Sequence, residues 1–516
     1  MFTGFYNQRI KYVFIIFVLL FFIIFVKIVY VQVFSYEKLS TLSDDLWSRE
    51  LPISAARGKI LDRNGKVLAD NKTITSLVII PNQIEDKERV TEVLSSILKV
   101  NYQDMYKHVT KKTSIERVHP EGRNLSFEIA DKINSYNFSG VYLVKESKRY
   151  YPNKDMLSHV IGYTGIDNQG LSGIELLYDK YLTGENGAIK YYSDAKGNKL
   201  DMAEVYNEPV PGLDVMLTVD YDIQTSIERE LDNIEDMFSP DHALAIAMDP
   251  NTGEVLAMSS RPSFDPNNYK NYSSDVLSRN LPIWMTYEPG STFKIITTAS
   301  AVEEQVVDLF KDQFYDSGSV TVSGSKLRCW KAGGHGHQTF LQVFENSCNP
   351  GFVKMGFLLG KNKLFDYIKL FGFGEKTGID LNGEGKGIIF DIGDVNDLEL
   401  STTAFGQGVS VTPIQQITAV SSIVNGGNLY KPYIMKSILD SKTGNIYQEN
   451  EKTLVRKTIS ESTTKTMRIA LESVVARGGG KVTYIDGYRV GGKTGTAQKV
   501  ENGRYLENNY IMSFMA

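Results

Sequence analysis

Glu288-Pro289-Gly290-Ser291-Thr292-Phe293-Lys294 runs straight into an apolar stretch, Ile295-Ile296-Thr297-Thr298-Ala299. A hydroxyl and an amine three residues apart share one face of a helix, so the segment predicts a helix presenting Ser291 and Lys294 together. Serine at its ordinary pKa is a weak nucleophile and needs an adjacent base. Lys294 can be that base if burial and a second cation lower its pKa. Taken alone, the pair also reads as a surface serine and lysine on an ordinary helix.

Two later segments decide between these readings. Ser347-Cys348-Asn349 follows a helical stretch at Phe340 to Asn346, and Lys493-Thr494-Gly495-Thr496 lies in a predicted strand preceded by Gly491-Gly492. Acyl transfer needs a nucleophile, a base, an oxyanion hole and a grip on the substrate. Ser291 is the expected nucleophile and Lys294 its base. Ser347 can pass a proton between the lysine and a leaving amine, and Asn349 can hold a peptide amide. Lys493 adds positive charge that keeps Lys294 neutral and attracts a carboxylate, which the hydroxyls of Thr494 and Thr496 can bind. Gly495 and the paired glycines let a substrate lie along the backbone as an added strand. The N–H groups of Ser291 and Thr496 would make the oxyanion hole, each donor worth about 3 kcal/mol.

The chain has 516 residues, too many for one hydrophobic core, so two or three domains are expected. Its 56 basic and 61 acidic residues nearly balance, and no basic stripe marks a nucleic-acid surface, which excludes that class of partner. Tyr12 to Val26 is uninterrupted apolar sequence, and past Lys27 the run continues to Phe34. With Lys27 snorkelling, 12–34 supplies the ~20 residues of a membrane span. Arg9 and Lys11 precede it, so residues 1–11 are expected to stay cytoplasmic and the rest of the chain to lie outside. A cleaved signal peptide fits less well, because the run is long and no small-x-small site follows it.

Past the anchor, Arg57-Gly58-Lys59-Ile60-Leu61-Asp62-Arg63-Asn64-Gly65-Lys66-Val67-Leu68-Ala69 reads as strand, Asn-Gly turn, strand. More β-rich runs lie around Arg149-Tyr150-Tyr151-Pro152, His159 to Tyr163 and Gly173-Ile174-Glu175. Residues 35–220 are therefore expected to form an α+β support without a nucleophile–base pair. From 221 onward a helix, a hairpin turning at Asp249 to Gly253, a helical block and the Lys493 strand fit one sheet covered by helices.

The three motifs together resemble those of the class B penicillin-binding proteins, membrane-anchored D,D-transpeptidases that cross-link peptidoglycan. Arg57-Gly58 with Asp62-Arg63-Asn64-Gly65 is similar to that family's pedestal signature, and Gly173-Ile174-Glu175 to a second one. Gly406-Gln407-Gly408 with Thr412-Pro413-Ile414-Gln415 resembles a helix start of its transpeptidase domain, and Asp45-Leu46-Trp47-Ser48-Arg49 resembles the sporulation-specific branch. The resemblance implies an N-terminal transmembrane helix, an α+β pedestal (dimerisation) domain over 35–220, and an α/β serine transpeptidase domain, β-lactamase-like in fold, over 221–516. It implies stem peptides ending in D-Ala-D-Ala as substrate, an amine on a neighbouring stem as acceptor, and β-lactams as acylating agents of Ser291. A polytopic glycan polymerase as membrane partner and a role in spore cortex synthesis are further implications. A vegetative or division transpeptidase, a D,D-carboxypeptidase or a β-lactamase would share the serine site, although the long pedestal and anchor argue against the last. A wall-synthesis scaffold or a β-lactam sensor without turnover is the alternative from another class. In the family a further strand and a C-terminal helix follow the segment ending at Ala516, so the domain is expected to be C-terminally truncated, which puts the activity of the chain in question.

Two cysteines exclude a disulfide scaffold. Cys329, His335 and His337 fall within one glycine-rich loop, Cys329-Trp330-Lys331-Ala332-Gly333-Gly334-His335-Gly336-His337, and Asp316 lies upstream. A thiolate with imidazoles is zinc chemistry. Asp316, Cys329, His335 and His337 are therefore candidate ligands of a structural zinc bracing the second motif, while the serine chemistry requires no cofactor. The alternative is a flexible polar loop, with Cys329 free or bridged to Cys348. Cys348 itself is expected to pack behind the motif as a small buried hydrophobe.

Overall fold

The computed structural model describes residues 3–113, 115–192, 205–501 and 504–516. Residues 1 and 2 of the expected cytoplasmic tail, 114 and 193–204 of the expected pedestal, and 502–503 of the expected transpeptidase domain lie outside the described residues. The first element is a 32-residue helix, Thr3–Phe34. Its segment Arg9–Phe34 has a mean hydropathy of 3.1 and is unburied, so it is long and apolar enough to cross a membrane. The predicted span 12–34 lies inside it.

The chain forms two compact units, each discontinuous in sequence. The first comprises Met1–Ala56, Thr73–Lys148 and Glu185–Val210. Its helices Lys87–Leu98, Tyr102–Val109 and Phe127–Ser135 begin at Asp86, Asn101 and Ser126, whose side chains accept from first-turn N–H groups. Leu77, Ile79, Val90, Leu94, Met105 and Ile133 make its small core. Strand Ser48–Ile53 pairs antiparallel with Gly187–Tyr192, which in turn pairs with Val205–Asn207.

The second unit comprises Arg57–Lys72, Arg149–Gly184 and Pro211–Ala516, so compactness does not follow the linear boundary expected at 220. Buried charge ties the two early segments to each other. Glu175 is fully buried and accepts hydrogen bonds from Arg57 Nε at 2.6 Å, Arg149 Nε at 2.5 Å and Tyr151 Oη at 3.2 Å. Removing one partner from such a set leaves an uncompensated buried charge, at a cost of about 3–5 kcal/mol. Gly58 allows the close approach, since a Cβ there would lie 1.8 Å from Leu213 O. The Asn64-Gly65 turn forms as expected, with Gly65 at φ +86° and Asp62 Oδ1 accepting from the N–H groups of Asn64 and Lys66. Ile60, Ile161 and Ile174 then share one core with Val215, Val255 and Ile434.

Within this unit Ile446–Glu449, Met435–Leu439, Asp214–Leu217 and Ile60–Leu61 lie side by side, the last two parallel. Helix Lys294–Glu303 forms the centre of the helical part, with Lys294 to Ala301 all buried. It packs against Asn349–Leu370, Pro413–Val424 and Glu461–Arg477. The hairpin Ala243–Met248/Val255–Arg261 and the late pair Lys493–Glu501/Arg504–Met515 are separate two-stranded ladders. The single sheet expected from element order is thus not closed among the described residues. A groove lined by Ile246, Met248, Ile295, Val424, Leu471 and Met515 runs beside the two ladders.

Candidate active site

Ser291 lies in a short 3-10 turn, Gly290–Phe293, that leads directly into the helix starting at Lys294. The approach is held to a neighbouring segment by Tyr287 N–H to Val411 O at 3.0 Å, Val411 N–H to Tyr287 O at 2.9 Å, and Gly290 N–H to Gly406 O at 2.9 Å. Gly406 has no substitute, because its φ is +87° and a Cβ would lie 2.0 Å from Gly290 O. Thr412 then caps helix Pro413–Val424 in a reciprocal capping box with Gln415. This is the physical content of the Gly406 to Gln415 signature: it buttresses the serine turn. Glu288 adds to the buttress, accepting from Gly408 N–H at 2.8 Å and from Tyr505 Oη at 3.2 Å, contacts that sequence reasoning missed.

The amine of Lys294 is wholly buried. Its Nζ lies 2.8 Å from Ser347 O, 3.0 Å from Ser347 Oγ and 2.7 Å from Asn349 Oδ1. Ser347 Oγ in turn lies 3.0 Å from Ser291 Oγ and 3.0 Å from Lys493 Nζ. One hydroxyl therefore joins the serine to both lysines. Ser347 sits at φ +54°, a left-handed conformation uncommon outside glycine, and strain of that kind costs on the order of 1–3 kcal/mol. Burial, and after it the charge of Lys493, hold Lys294 well below the usual lysine range. Burial lowers Lys493 to about 8.

The Lys493 strand lies against the serine turn. A Cβ on Gly290 would come within 2.8 Å of Thr496 O, and one on Gly495 within 2.9 Å of Thr292 Cγ2 and 3.0 Å of Pro289 O. A Cβ on Gly492 would meet Phe514 at 2.7 Å. These glycines are spent on the protein's own close packing. The strand pairs with Arg504–Met515 in the register Lys493↔Met515 and Thr496↔Met512, and among the described residues its other edge carries no strand. Asn349, expected to hold a substrate amide, points its amide oxygen at Lys294 and donates from Nδ2 to Arg328 O at 3.3 Å. Ser291, Lys294, Ser347, Asn349 and Lys493 are thus brought together, with Thr494 half-buried and Thr496 exposed on the adjoining strand.

Residues 243–516 match the family described as penicillin binding protein transpeptidase domain, and residues 52–217 match the penicillin-binding protein dimerisation domain. The chain belongs to the penicillin-binding protein transpeptidase family. Stage V sporulation protein D of Bacillus subtilis (strain 168) is 54% identical to it over 99% of this chain and 79% of that protein. Peptidoglycan D,D-transpeptidase FtsI of Escherichia coli (strain K12) is 29% identical over 94% of this chain and 80% of that protein. The solved structure of penicillin binding protein 2X from Streptococcus thermophilus shares the fold with a TM-score of 0.73 at 22% identity, covering 90% of this chain and 74% of that one.

Behind the second motif of the transpeptidase domain, ligand atoms of Asp316, Cys329, His335 and Cys348 all lie within 4.8 Å of one another. Asp316 Oδ2 is 3.0 Å from His335 Nδ1 and 3.3 Å from Cys348 Sγ, and Cys329 Sγ is 3.4 Å from His335 Nδ1. The two cysteines are free, so the bridge left open by the sequence is not formed. Two expectations change. His337 stands apart, exposed, with its ring 4.8 Å from that of Tyr315, and Cys348 takes the place in the cluster that the sequence assigned to it. The cause is backbone: Gly334 and Gly336 have φ of +78° and +71°, so His335 and His337 do not share a face as they would in an extended strand. Gly334 also admits the loop to Asp316, whose carbonyl oxygen would lie 2.3 Å from a Cβ. Hydrogen bonds from Gly318 N–H, His335 and both thiols outweigh burial and hold the Asp316 carboxyl below its usual range. A signal for Cys348 was available, because it is the second of only two cysteines and lies inside a catalytic motif.

Proposed function

We propose that this chain cross-links peptidoglycan stem peptides through an acyl-enzyme on Ser291, in the setting of spore cortex synthesis. The observation that carries the reading is the hydrogen-bonded chain from Ser291 through Ser347 to the buried Lys294 and Lys493. With Lys294 neutral, its lone pair can accept a proton while its N–H groups donate to Ser347 O and Asn349 Oδ1. Ser291 Oγ attacks the carbonyl of the penultimate D-Ala, and its proton passes to Lys294 directly or through Ser347. The carbonyl oxygen takes up negative charge against the N–H groups of Ser291 and Thr496. The C–N bond breaks, and the terminal D-Ala leaves with a proton delivered by Ser347, which Lys294 replaces with the proton it took from Ser291, so the lysine is neutral again. The amine of a neighbouring stem attacks the ester and surrenders its proton to Lys294; the ester C–O bond breaks, and that proton returns to Ser291 Oγ through Ser347. The donor lies along the open edge of the Lys493 strand, its terminal carboxylate held by Lys493, Thr494 and Thr496.

The sporulation setting is supported by the likeness to a stage V sporulation protein. The apolar helix anchors the chain, Arg9 and Lys11 stay on the cytoplasmic side, and the catalytic part works outside, beside a polytopic glycan polymerase. β-Lactams acylate Ser291. Asp316, Cys329, His335 and Cys348 would hold a structural zinc, a carboxylate, an imidazole and two thiols being donors that zinc takes. Held there, it would take no part in acyl transfer and would brace the backbone from which Ser347 and Asn349 project.

Transfer and hydrolysis are separated by product analysis. The full chain in detergent, given a D-Ala-D-Ala stem peptide and an amine acceptor, is expected to form cross-linked product in proportion to acceptor concentration. Release of D-Ala with only the hydrolysed peptide, at every acceptor concentration, would replace the transpeptidase reading by a D,D-carboxypeptidase.

A further inference from the structure

Beside the second motif the chain carries a cluster of exposed positive charge. Lys326, Arg328 and Lys331 are exposed, and none has an ion-pair partner among the described residues, in a chain whose net charge is −5. Trp330, in the same short segment, is 69% exposed. This segment runs directly alongside the catalytic one. Asn349 Nδ2 donates to Arg328 O at 3.3 Å, and Trp330 Nε1 donates to Asn346 O at 2.7 Å. Cys329 between them is buried in the Asp316 cluster, so Arg328 and Trp330 are turned to solvent while their backbone is pinned from behind. The Arg328 carbonyl is one side chain away from Lys294 Nζ, because Asn349 bridges the two.

We propose that Arg328 and Trp330, flanked by Lys326 and Lys331, form a subsite for a carboxylate on the acyl-donor peptide, upstream of the scissile bond. The inference rests on the transpeptidase reading and names a feature of the donor that this reading leaves open. A guanidinium is planar and pairs with a carboxylate through two parallel N–H groups, while the indole offers an apolar wall to the residue bearing it. An extended peptide rises ~3.3 Å per residue, so a group one or two residues upstream of the reacting carbonyl lies ~3–7 Å further along the donor, the span of a long arginine side chain. The subsite is built on a different element from the Lys493 strand, so it reads the body of the donor rather than its terminus. The two flanking lysines raise the local positive potential without fixing geometry.

The test compares wild type, Arg328→Ala and Arg328→Gln, as full chains, in acylation by two thioester donor peptides. One carries a free carboxylate on the residue preceding the scissile alanine pair; the other carries the corresponding amide. Benzylpenicillin, which lacks this upstream group, reports whether each variant is folded and has a working Ser291. For the free-acid donor both variants are expected to lose about 10–100-fold in kcat/KM, mainly through KM, as for a lost charged hydrogen bond. For the amide donor and for benzylpenicillin the change is expected to stay under about twofold. Equal losses on both donors, no loss on either, or loss of penicillin acylation in both variants would overturn the subsite. Failure of the wild type to be acylated by penicillin would instead overturn the serine transpeptidase reading, and the subsite with it.

Discussion

Lys294→Ala is expected to slow acylation of Ser291 by benzylpenicillin about 10³–10⁴-fold, or roughly 4–5.5 kcal/mol of barrier. The amine is the only group in the cluster that can both receive the serine proton and stay neutral at working pH, since burial and the Lys493 charge depress its pKa. Ser347 cannot replace it, because a hydroxyl relays a proton without storing one. The wild-type pH profile tests the same assignment. At low pH Lys294 becomes protonated and loses its lone pair, so the rate falls as pH drops through its depressed pKa. At high pH Lys493 loses its charge near 8, which relaxes the hold on Lys294 and on a substrate carboxylate, so the rate falls again as pH rises. Rapid-mixing measurement of acylation across pH is expected to give a bell with its alkaline limb near 8. A rate in Lys294→Ala within tenfold of wild type would remove the lysine from the base role.

The second large effect concerns the cluster behind the motif. Purified protein is expected to carry one zinc per chain, and removing it by chelation, or by Cys329→Ser, is expected to lower stability by several kcal/mol. A ligand present at about 1,000 times its Kd contributes about 4 kcal/mol to folding by mass action alone. The loss should reach the chemistry, because Cys348 lies between Ser347 and Asn349, and both contact Lys294 Nζ. Burial pushes both thiols up, so without a cation the two sulfurs are neutral; a bound metal would reverse this and release protons. Elemental analysis together with thermal melts, with and without chelator, checks the prediction. Metal-free protein that melts unchanged in chelator and is acylated at full rate would exclude the site.

The chemistry of this chain was legible because it is carried by short local patterns. The Asn64-Gly65 turn and the strand at Lys493 state local geometries that the structure shows, while the spacing of Ser291 and Lys294 states one helix and the structure sets Ser291 in the 3-10 turn just ahead of it. The long apolar run at Tyr12 to Phe34 states its helix equally directly. What could not be read is what depends on distant partners. Glu175 draws Arg57 and Arg149 into one buried set, which ties together two early segments far apart in the sequence. The membership of the Asp316 cluster failed to read for a different reason. Sequence spacing favours the nearer His337, but positive-φ glycines redirect the loop and bring in Cys348 from beyond the following helix. The left-handed backbone of Ser347 was equally invisible, since nothing in a Ser-Cys-Asn triplet announces it.

The central claim is that Ser291 is the nucleophile of an acyl-enzyme. It is tested most directly by incubating the full chain with benzylpenicillin, digesting it and locating the adduct by mass spectrometry. One penicilloyl group per chain on the peptide bearing Ser291, absent from Ser291→Ala, is the predicted result. An adduct elsewhere, or none in a folded wild-type chain, would contradict it.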